Sequence, residues 1–227
     1  MPRSFCIPGI IFLFCAFVLM FIVSVSLPFL TAMDITRVHF TGNPTISAAT
    51  TSLSQTRFGI WAYCYETTKN SNTICDKTGH AYSLVFSSKD SSVTIGSSWT
   101  RGLAVHPVAT GVIFVALLLS LSSHITVTLL ASIVSFLAAL ITLIAFAIDI
   151  ALFAFVKHEM KKLTGVSSST NTAPGFWLTF VSFILLLLAG CTVCFGRRRD
   201  RMSGATSYPM SQKPGIFGRF RRNRNVV

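Results

Sequence analysis

The chain has 227 residues, of which 52% are hydrophobic and only 11% are charged, and its mean hydropathy is +0.65. These values exclude an ordinary soluble globular protein. The net charge of +12 is unevenly placed, because nine of the 19 Lys and Arg residues follow Phe195. We therefore expect an integral membrane protein with a strongly basic tail.

Four apolar segments have the length, about 20 residues, that a membrane-spanning helix needs. The first resembles a signal peptide, but its apolar run exceeds the roughly 7–15 residues of a cleavable core, which favours an uncleaved span. The basic tail predicts that both termini are cytoplasmic. The predicted order is a cytoplasmic segment (1–6), a span (7–32), an extracellular loop (33–102), a span (103–121), an inner turn (122–124), a span (125–156), a second extracellular loop (157–175), a span (176–196) and a disordered cytoplasmic tail (197–227).

The first extracellular loop contains three stretches rich in aromatic and β-branched residues, which predict strands. These stretches are Ile35 to Phe40, Thr56 to Tyr65 and Ala81 to Phe86. The predicted fold is a bundle of four transmembrane helices with a small antiparallel β-sheet in this loop. The Ser-rich segment from Ser87 to Ser98 is expected to be a flexible return to the second span.

Gly59 and Trp61 lie just before Cys64, and Cys75 follows eleven positions later. Both cysteines fall in the loop assigned to the oxidising side, where thiols pair, so we predict a disulfide between them. Closing a loop of this size stabilises the fold by about 3 kcal/mol in the chain-entropy model. The motif around Trp61 is interpreted either as a partner-binding loop or as a structural clamp.

Asp149 is a lone carboxylate inside the third apolar segment. A charged side chain in hydrocarbon costs about 3 kcal/mol or more, so this one is expected to face protein. Counting from the outer ends of the spans gives hydroxyl groups at comparable depth as possible partners, namely Ser24, Ser26, Thr110 and Ser182. Asp149 is interpreted as a polar lock between helices or as a group that responds to protons or contacts a partner.

Four of the five histidines are predicted to face the exterior: His39, His80 and His158 in the loops, and His106 near the outer interface. The fifth, His124, falls in the inner turn. Imidazole titrates between about pH 5 and 8, but exposed histidines are commonly inert, so the chain itself is not expected to sense pH.

The inner end of the last span carries further candidate sites. Cys191 and Cys194 lie three residues apart at the membrane boundary, where cysteines can be palmitoylated, and the alternative is plain apolar packing. The arginines that follow are expected to bind anionic lipid rather than nucleic acid, because the tail is attached to a span. These arginines are Arg197, Arg198, Arg199, Arg219, Arg221 and Arg222.

The pattern Trp61-x-x-Cys64, with a second cysteine eleven positions on, resembles the claudin-type tetraspan signature, although Phe40 stands near the place of an earlier tryptophan. The second half of the chain resembles the PalI family of fungal pH-response regulators, which is related to the tetraspan proteins of eisosomes. The residues that carry this resemblance are Ala145 to Phe153, Lys157 to Lys162, Pro174 to Trp177 and Ala189 to Gly196.

The resemblance implies a plasma-membrane component of ambient-pH signalling that assists a seven-span pH sensor of the PalH type. The alternative is a structural tetraspan that organises eisosome-type membrane domains or the contact with the cell wall, and a homo-oligomer is possible in either case. The sequence contains no nucleophile elbow, no His-Glu-x-x-His motif and no phosphate-binding glycine loop. We therefore expect no enzymatic activity, no metal site and no cofactor.

Overall fold

The computed structural model describes residues 7–47, 52–76, 79, 81–88, 91–122 and 124–205, with side chains except at 70, 71, 125 and 193–205. In chain order the elements are α1 (Ile7–Phe29), β1 (Thr36–Thr41), β2 (Thr45–Ile46), β3 (Leu53–Phe58), β4 (Tyr63–Thr67), β5 (Asn70–Cys75), β6 (Leu84–Ser87), β7 (Ser92–Ile95), α2 (Ser97–Arg101), α3 (Val105–Ser120), α4 (Ile125–Met160), β8 (Ser167–Thr172) and α5 (Pro174–Ala205). A 3-10 turn at Gly102–Ala104 joins α2 to α3.

Within the described residues four helical segments are long and apolar enough to cross a membrane, which confirms the predicted four-span bundle. They comprise Pro8–Phe29, Ser97–Ser120, Thr126–Met160 and Pro174–Thr192. One face of each helix is buried in the bundle, and the opposite faces carry exposed large apolar side chains such as Phe14, Ile133 and Leu188. Exposed apolar faces of this kind are what a lipid environment requires.

The predicted span boundaries differ most from the observed ones at three helix ends. The second span begins at Ser97 rather than at 103, and α4 continues to Met160 rather than ending at 156. Helix α5 continues to Ala205, so residues 197–205, predicted to be disordered, are helical. Arginine has a high helix propensity, and the basic composition that predicted disorder did not end the helix. Residues 206–227 lie outside the described part of the chain.

Two antiparallel sheets lie at one end of the bundle and form what we call the sheet domain (residues 33–96 and 163–173). One sheet has five strands in the order β5-β4-β3-β1-β8, and the other has three in the order β2-β6-β7. The predicted strand from Thr56 to Tyr65 is wrong in its middle, because a turn over residues 59–62 divides it into β3 and β4. The segment predicted as a flexible return contains β7, which pairs with β6 over four residues.

The five-stranded sheet is not confined to the first loop. β8 comes from the second loop, where no strand was predicted, and it pairs with β1 through six consecutive residues. Its sequence, Ser-Ser-Ser-Thr-Asn-Thr, lacks the alternation of apolar and polar residues that identifies a strand. Backbone pairing with β1 therefore decides its conformation, and this pairing joins the two loops.

In the part of the chain that the structure describes, the buried apolar side chains form two clusters. The first lies beneath the sheets and joins strand residues such as Phe58 and Phe86 to Leu152 and Val156 of α4. The second fills the centre of the bundle with small and medium side chains, including Ala16, Ala109, Ala138 and Ala189. Small residues at these positions let the helix backbones approach closely, as is typical of helix packing in membranes. The sheet domain is therefore continuous with the bundle through α4.

Candidate functional site

Helix α1 is interrupted where it meets the sheet domain. The backbone leaves helical geometry at Ser26 (φ −6°, ψ −149°) and Leu27 (φ −60°, ψ 139°). Pro28, the next residue, has no N–H group and so cannot donate a helical hydrogen bond to the carbonyl of Ser24. The kink therefore leaves polar groups of α1 in need of partners from elsewhere in the chain.

The loop between β3 and β4 supplies those partners. The indole Nε1–H of Trp61 donates to the carbonyl oxygen of Ser24 at 2.8 Å. The backbone N–H of Ile60 donates to the Ser26 hydroxyl oxygen at 3.1 Å. We call residues 59–62 the clamp loop, because they bind α1 at the kink and just before it.

Gly59 sets how closely the clamp loop approaches α1. A Cβ atom at this position would lie 2.5 Å from Cβ of Leu27, so only glycine fits without displacement. The Gly59 carbonyl accepts a hydrogen bond from the Tyr82 hydroxyl at 2.8 Å. Tyr82 is buried, and this burial raises the pKa of its hydroxyl well above the usual range, so it remains a donor.

The geometry favours the structural interpretation of the Trp61 motif. Trp61 is half-buried, packs against the cluster beneath the sheets and uses its only side-chain donor within the chain. The disulfide between Cys64 and Cys75 is present, as predicted, and it joins β4 to β5 at paired positions of the sheet. Together the clamp loop and the disulfide connect α1 to the edge of the five-stranded sheet.

Replacing Trp61 with phenylalanine should keep the packing of the ring but remove the N–H group that donates a hydrogen bond to the Ser24 carbonyl oxygen. We expect a loss of about 0.5–1.5 kcal/mol, the usual contribution of one hydrogen bond, seen as a lower melting temperature in lipid nanodiscs. Trp177→Phe is the matched control, because Trp177 is 56% exposed at the start of α5. Equal losses in the two variants would contradict the clamp.

A second group of polar side chains lies inside the bundle, and we call it the polar cluster (His106, Thr110, Asp149 and Thr179). Nε2 of His106 lies 3.1 Å from Oδ2 of Asp149, and both side chains are completely buried. His106 belongs to α3 and Asp149 to α4, so this contact joins two adjacent spans. The prediction that Asp149 faces protein rather than lipid agrees with this burial.

Two threonines extend the cluster to the other spans. The Thr110 hydroxyl lies within hydrogen-bond distance of the carbonyl oxygens of Met20 in α1, at 3.2 Å, and of His106, at 2.9 Å. The Thr179 hydroxyl of α5 lies 3.5 Å from Nε2 of His106 and donates to the Gly175 carbonyl at 3.0 Å. Through these contacts the polar cluster touches all four spans.

Hydrogen-bond geometry fixes how many protons the His106–Asp149 pair holds. Nδ1 of His106 faces the Leu103 carbonyl oxygen at 3.0 Å, and a carbonyl only accepts, so Nδ1 carries a proton. The contact between Nε2 and Oδ2 requires one further proton, on either atom. The pair is electrically neutral in both arrangements. Removing that proton would leave an unpaired negative charge in the bundle, which is strongly unfavourable.

The partner of Asp149 was not anticipated. The hydroxyls proposed from helix counting were those of Ser24, Ser26, Thr110 and Ser182; the structure instead pairs Asp149 with His106. Of these four, only Thr110 belongs to the cluster, and it contacts backbone carbonyls. Ser24 provides a carbonyl to Trp61, Ser26 accepts from Ile60, and Ser182 donates to Leu178.

His106, predicted near the outer interface, is completely buried between the helices. The second helical segment starts at Ser97 rather than at residue 103, so His106 lies nine residues into the segment instead of three. His39 and His158 are exposed on the sheet side, and His124 is exposed in the opposite turn, as expected. His80 lies outside the described residues.

The remaining predicted sites belong to the last span and to the chain that follows it. Cys191 is an exposed free thiol near the end of the fourth span, a position consistent with palmitoylation, which stays a prediction. The Cys194 side chain and those of Arg197, Arg198 and Arg199 are outside the described part, as are residues 219, 221 and 222. In the described residues no group of three or more His, Cys, Asp and Glu side chains could hold a metal ion.

Comparison with known proteins identifies the family. A family model described as SUR7/PalI family matches residues 5–189, which cover the first three spans, the sheet domain and the fourth span as far as residue 189. The chain belongs to the SUR7/PalI family. None of the curated proteins searched matches it. Family membership and the four apolar helices together make the chain a multi-pass tetraspan membrane protein, and the family is a non-enzymatic one.

Proposed function

We propose that this SUR7/PalI tetraspan is a non-enzymatic accessory component of ambient-pH signalling at the plasma membrane, where it assists the localisation or stability of a seven-span pH sensor. The observation that carries the proposal is the family match over residues 5–189. The resemblance of the second half to PalI supports the pH-response branch of the family.

The geometry supports an accessory role rather than a sensing role. The His106–Asp149 pair is completely buried and neutral, joins α3 to α4 and lies 3.5 Å from the Thr179 hydroxyl of α5, which suits a lock between helices. The clamp loop joins the sheet domain to α1, and the disulfide joins β4 to β5 within that domain. A rigid domain fixed to a membrane bundle is suited to stabilising a second membrane protein by lateral contact.

The proposed orientation places the sheet domain outside the cell and both termini in the cytoplasm. A disulfide in the sheet domain fits an oxidising compartment, and the basic residues after Phe195 fit the cytoplasmic side. In this orientation the tail arginines face the anionic inner leaflet. Each cation near such a surface contributes about 1 kcal/mol of attraction, so anionic lipid is the proposed partner of the tail.

The second candidate function is a structural tetraspan that organises eisosome-type membrane domains or the contact with the cell wall. The name of the family, which joins SUR7 with PalI, keeps this candidate open. The lipid-facing apolar surfaces and the rigid sheet domain serve this role equally well. Partner identity separates the two candidates.

Deleting the chain from its host cell should lower the surface abundance of the seven-span sensor several-fold and weaken the alkaline response. Expression of the wild-type chain should restore both, and the sensor should copurify with it from native membranes. The abundance of an unrelated multi-pass plasma-membrane protein serves as the control. Unchanged sensor abundance, together with copurification of eisosome proteins alone, would support the structural candidate instead.

A further inference from the structure

The five-stranded sheet ends at β8, and this edge has unusual chemistry. Among the described residues no strand pairs with the outer side of β8. In an edge strand every second residue directs its backbone N–H and C=O groups away from the neighbouring strand, where they are free to bind another chain. The edge therefore offers a row of backbone donors and acceptors.

The features that normally protect an edge strand are missing from β8. All six of its residues are Ser, Thr or Asn, so the strand contains no charge and no proline. Its register with β1 is unbroken from Ser167 to Thr172, with no bulge to twist the edge away. The side chains are exposed at Ser167, Ser169 and Asn171 and half-buried at the three positions between them.

The opposite edge of the same sheet is built differently. β5 pairs with β4 through an interrupted register, with a shift between Tyr65 and Thr67, and the disulfide fixes its end. An irregular edge is a poor template for adding another strand. Of the two edges of this sheet, β8 is the better suited to pairing.

We propose that the free edge of β8 is a self-association surface, at which β8 of a second copy in the same membrane adds to the sheet. The attachment of β8 to the bundle supports this choice of partner. Only Ala173 separates β8 from α5, and its N–H donates to the Ile35 carbonyl at 3.1 Å. The edge is therefore held at a fixed height above the membrane, and every copy presents it at that height.

The side chains also suit pairing between identical strands. Self-pairing of β8 places no like charges opposite each other, and hydroxyl and amide groups can both donate and accept. Confinement of both copies to one membrane raises their effective concentration, so a short strand pair suffices for association. Because the same surface is used by both copies, the contact has two-fold symmetry, and the assembly ends at a dimer instead of extending to further copies.

The test uses the full chain in lipid nanodiscs or native membranes, with Ser169→Cys as the probe in a background where Cys6, Cys15, Cys191 and Cys194 are serine. Ser169 is exposed in the middle of β8, and mild oxidation should link two copies there. Thr68→Cys is the matched control, because Thr68 is exposed in the turn beside β5. The account predicts linked dimers for position 169 and none for position 68.

A charge variant provides the second measurement. Ser169→Lys in the otherwise wild-type chain should raise the dimer dissociation constant at least about tenfold, because like charges would face each other across the edge. Thr68→Lys should leave it unchanged, and an intact disulfide would show that both variants fold. A wild-type chain that remains monomeric, crosslinking at position 68 alone, or a dimer insensitive to Ser169→Lys would overturn the proposal.

Discussion

Replacing Cys64 and Cys75 together with alanine should prevent most of the protein from reaching the cell surface. The two cysteines are eleven residues apart in sequence, so the bridge closes a short loop. In the chain-entropy model it contributes about 3 kcal/mol to the stability of the fold. The sheet domain is small, and its strands β4 and β5 are joined by an interrupted register. Hydrogen bonds from Tyr63 to Asp76 and from Thr73 to Glu66 also hold this edge, but a typical hydrogen bond contributes only about 0.5–1.5 kcal/mol.

Surface labelling and thermal unfolding in nanodiscs would measure this loss. Alanine is preferred to serine because Cys64 is completely buried and a hydroxyl there would add an unsatisfied polar group. Cys191→Ala is the control, because its thiol is free and exposed. Wild-type surface abundance and melting temperature in the double alanine variant would show that the disulfide is dispensable.

Replacing Asp149 or His106 alone with leucine should destabilise the bundle by about 1–3 kcal/mol, because each change leaves the other group buried without its partner. Replacing both should cost clearly less than the sum of the two, since apolar side chains then fill the site together. Asp149→Asn should be tolerated, because its amide N–H can donate to Nε2 of a neutral His106.

The measurement is a double-mutant cycle on unfolding free energies in a membrane-like environment. We expect a coupling energy of about 0.6 kcal/mol, the average for polar contacts between membrane helices, and of at most about 1.7 kcal/mol. Ser182→Ala is a useful control, because Ser182 is buried and donates only to a carbonyl of its own helix. Additive costs for the two leucine variants would mean that the pair does not lock α3 to α4.

Hydropathy and the placement of cysteines predicted the spans and the disulfide because each depends on local or compositional features. A span needs only length and apolarity, and two cysteines in one outer loop have few other partners. The burial of Asp149 followed from the same energetics, since a carboxylate in an apolar run must face protein.

The missed features depend on contacts between distant segments. β8 is a strand only because β1 lies beside it, and its own sequence carries no alternating pattern. The His106–Asp149 pair required knowing that the second span begins at Ser97. The hydrogen bond from Trp61 to Ser24 could be predicted only by knowing that Trp61 reaches the kink in α1. Pro28 was a visible signal in the sequence, because a proline has no N–H group to donate to the Ser24 carbonyl.

The central claim is that this tetraspan supports pH signalling as a locked scaffold and does not itself sense pH. The most direct test is the activity of the alkaline-response pathway across external pH in cells carrying the variant with leucine at both 106 and 149, compared at matched surface abundance. Cells lacking the chain should lose the response, and cells with the double variant should respond at the same midpoint pH as the wild type. A shifted midpoint in the double variant would contradict the account, and so would a normal response in cells that lack the chain.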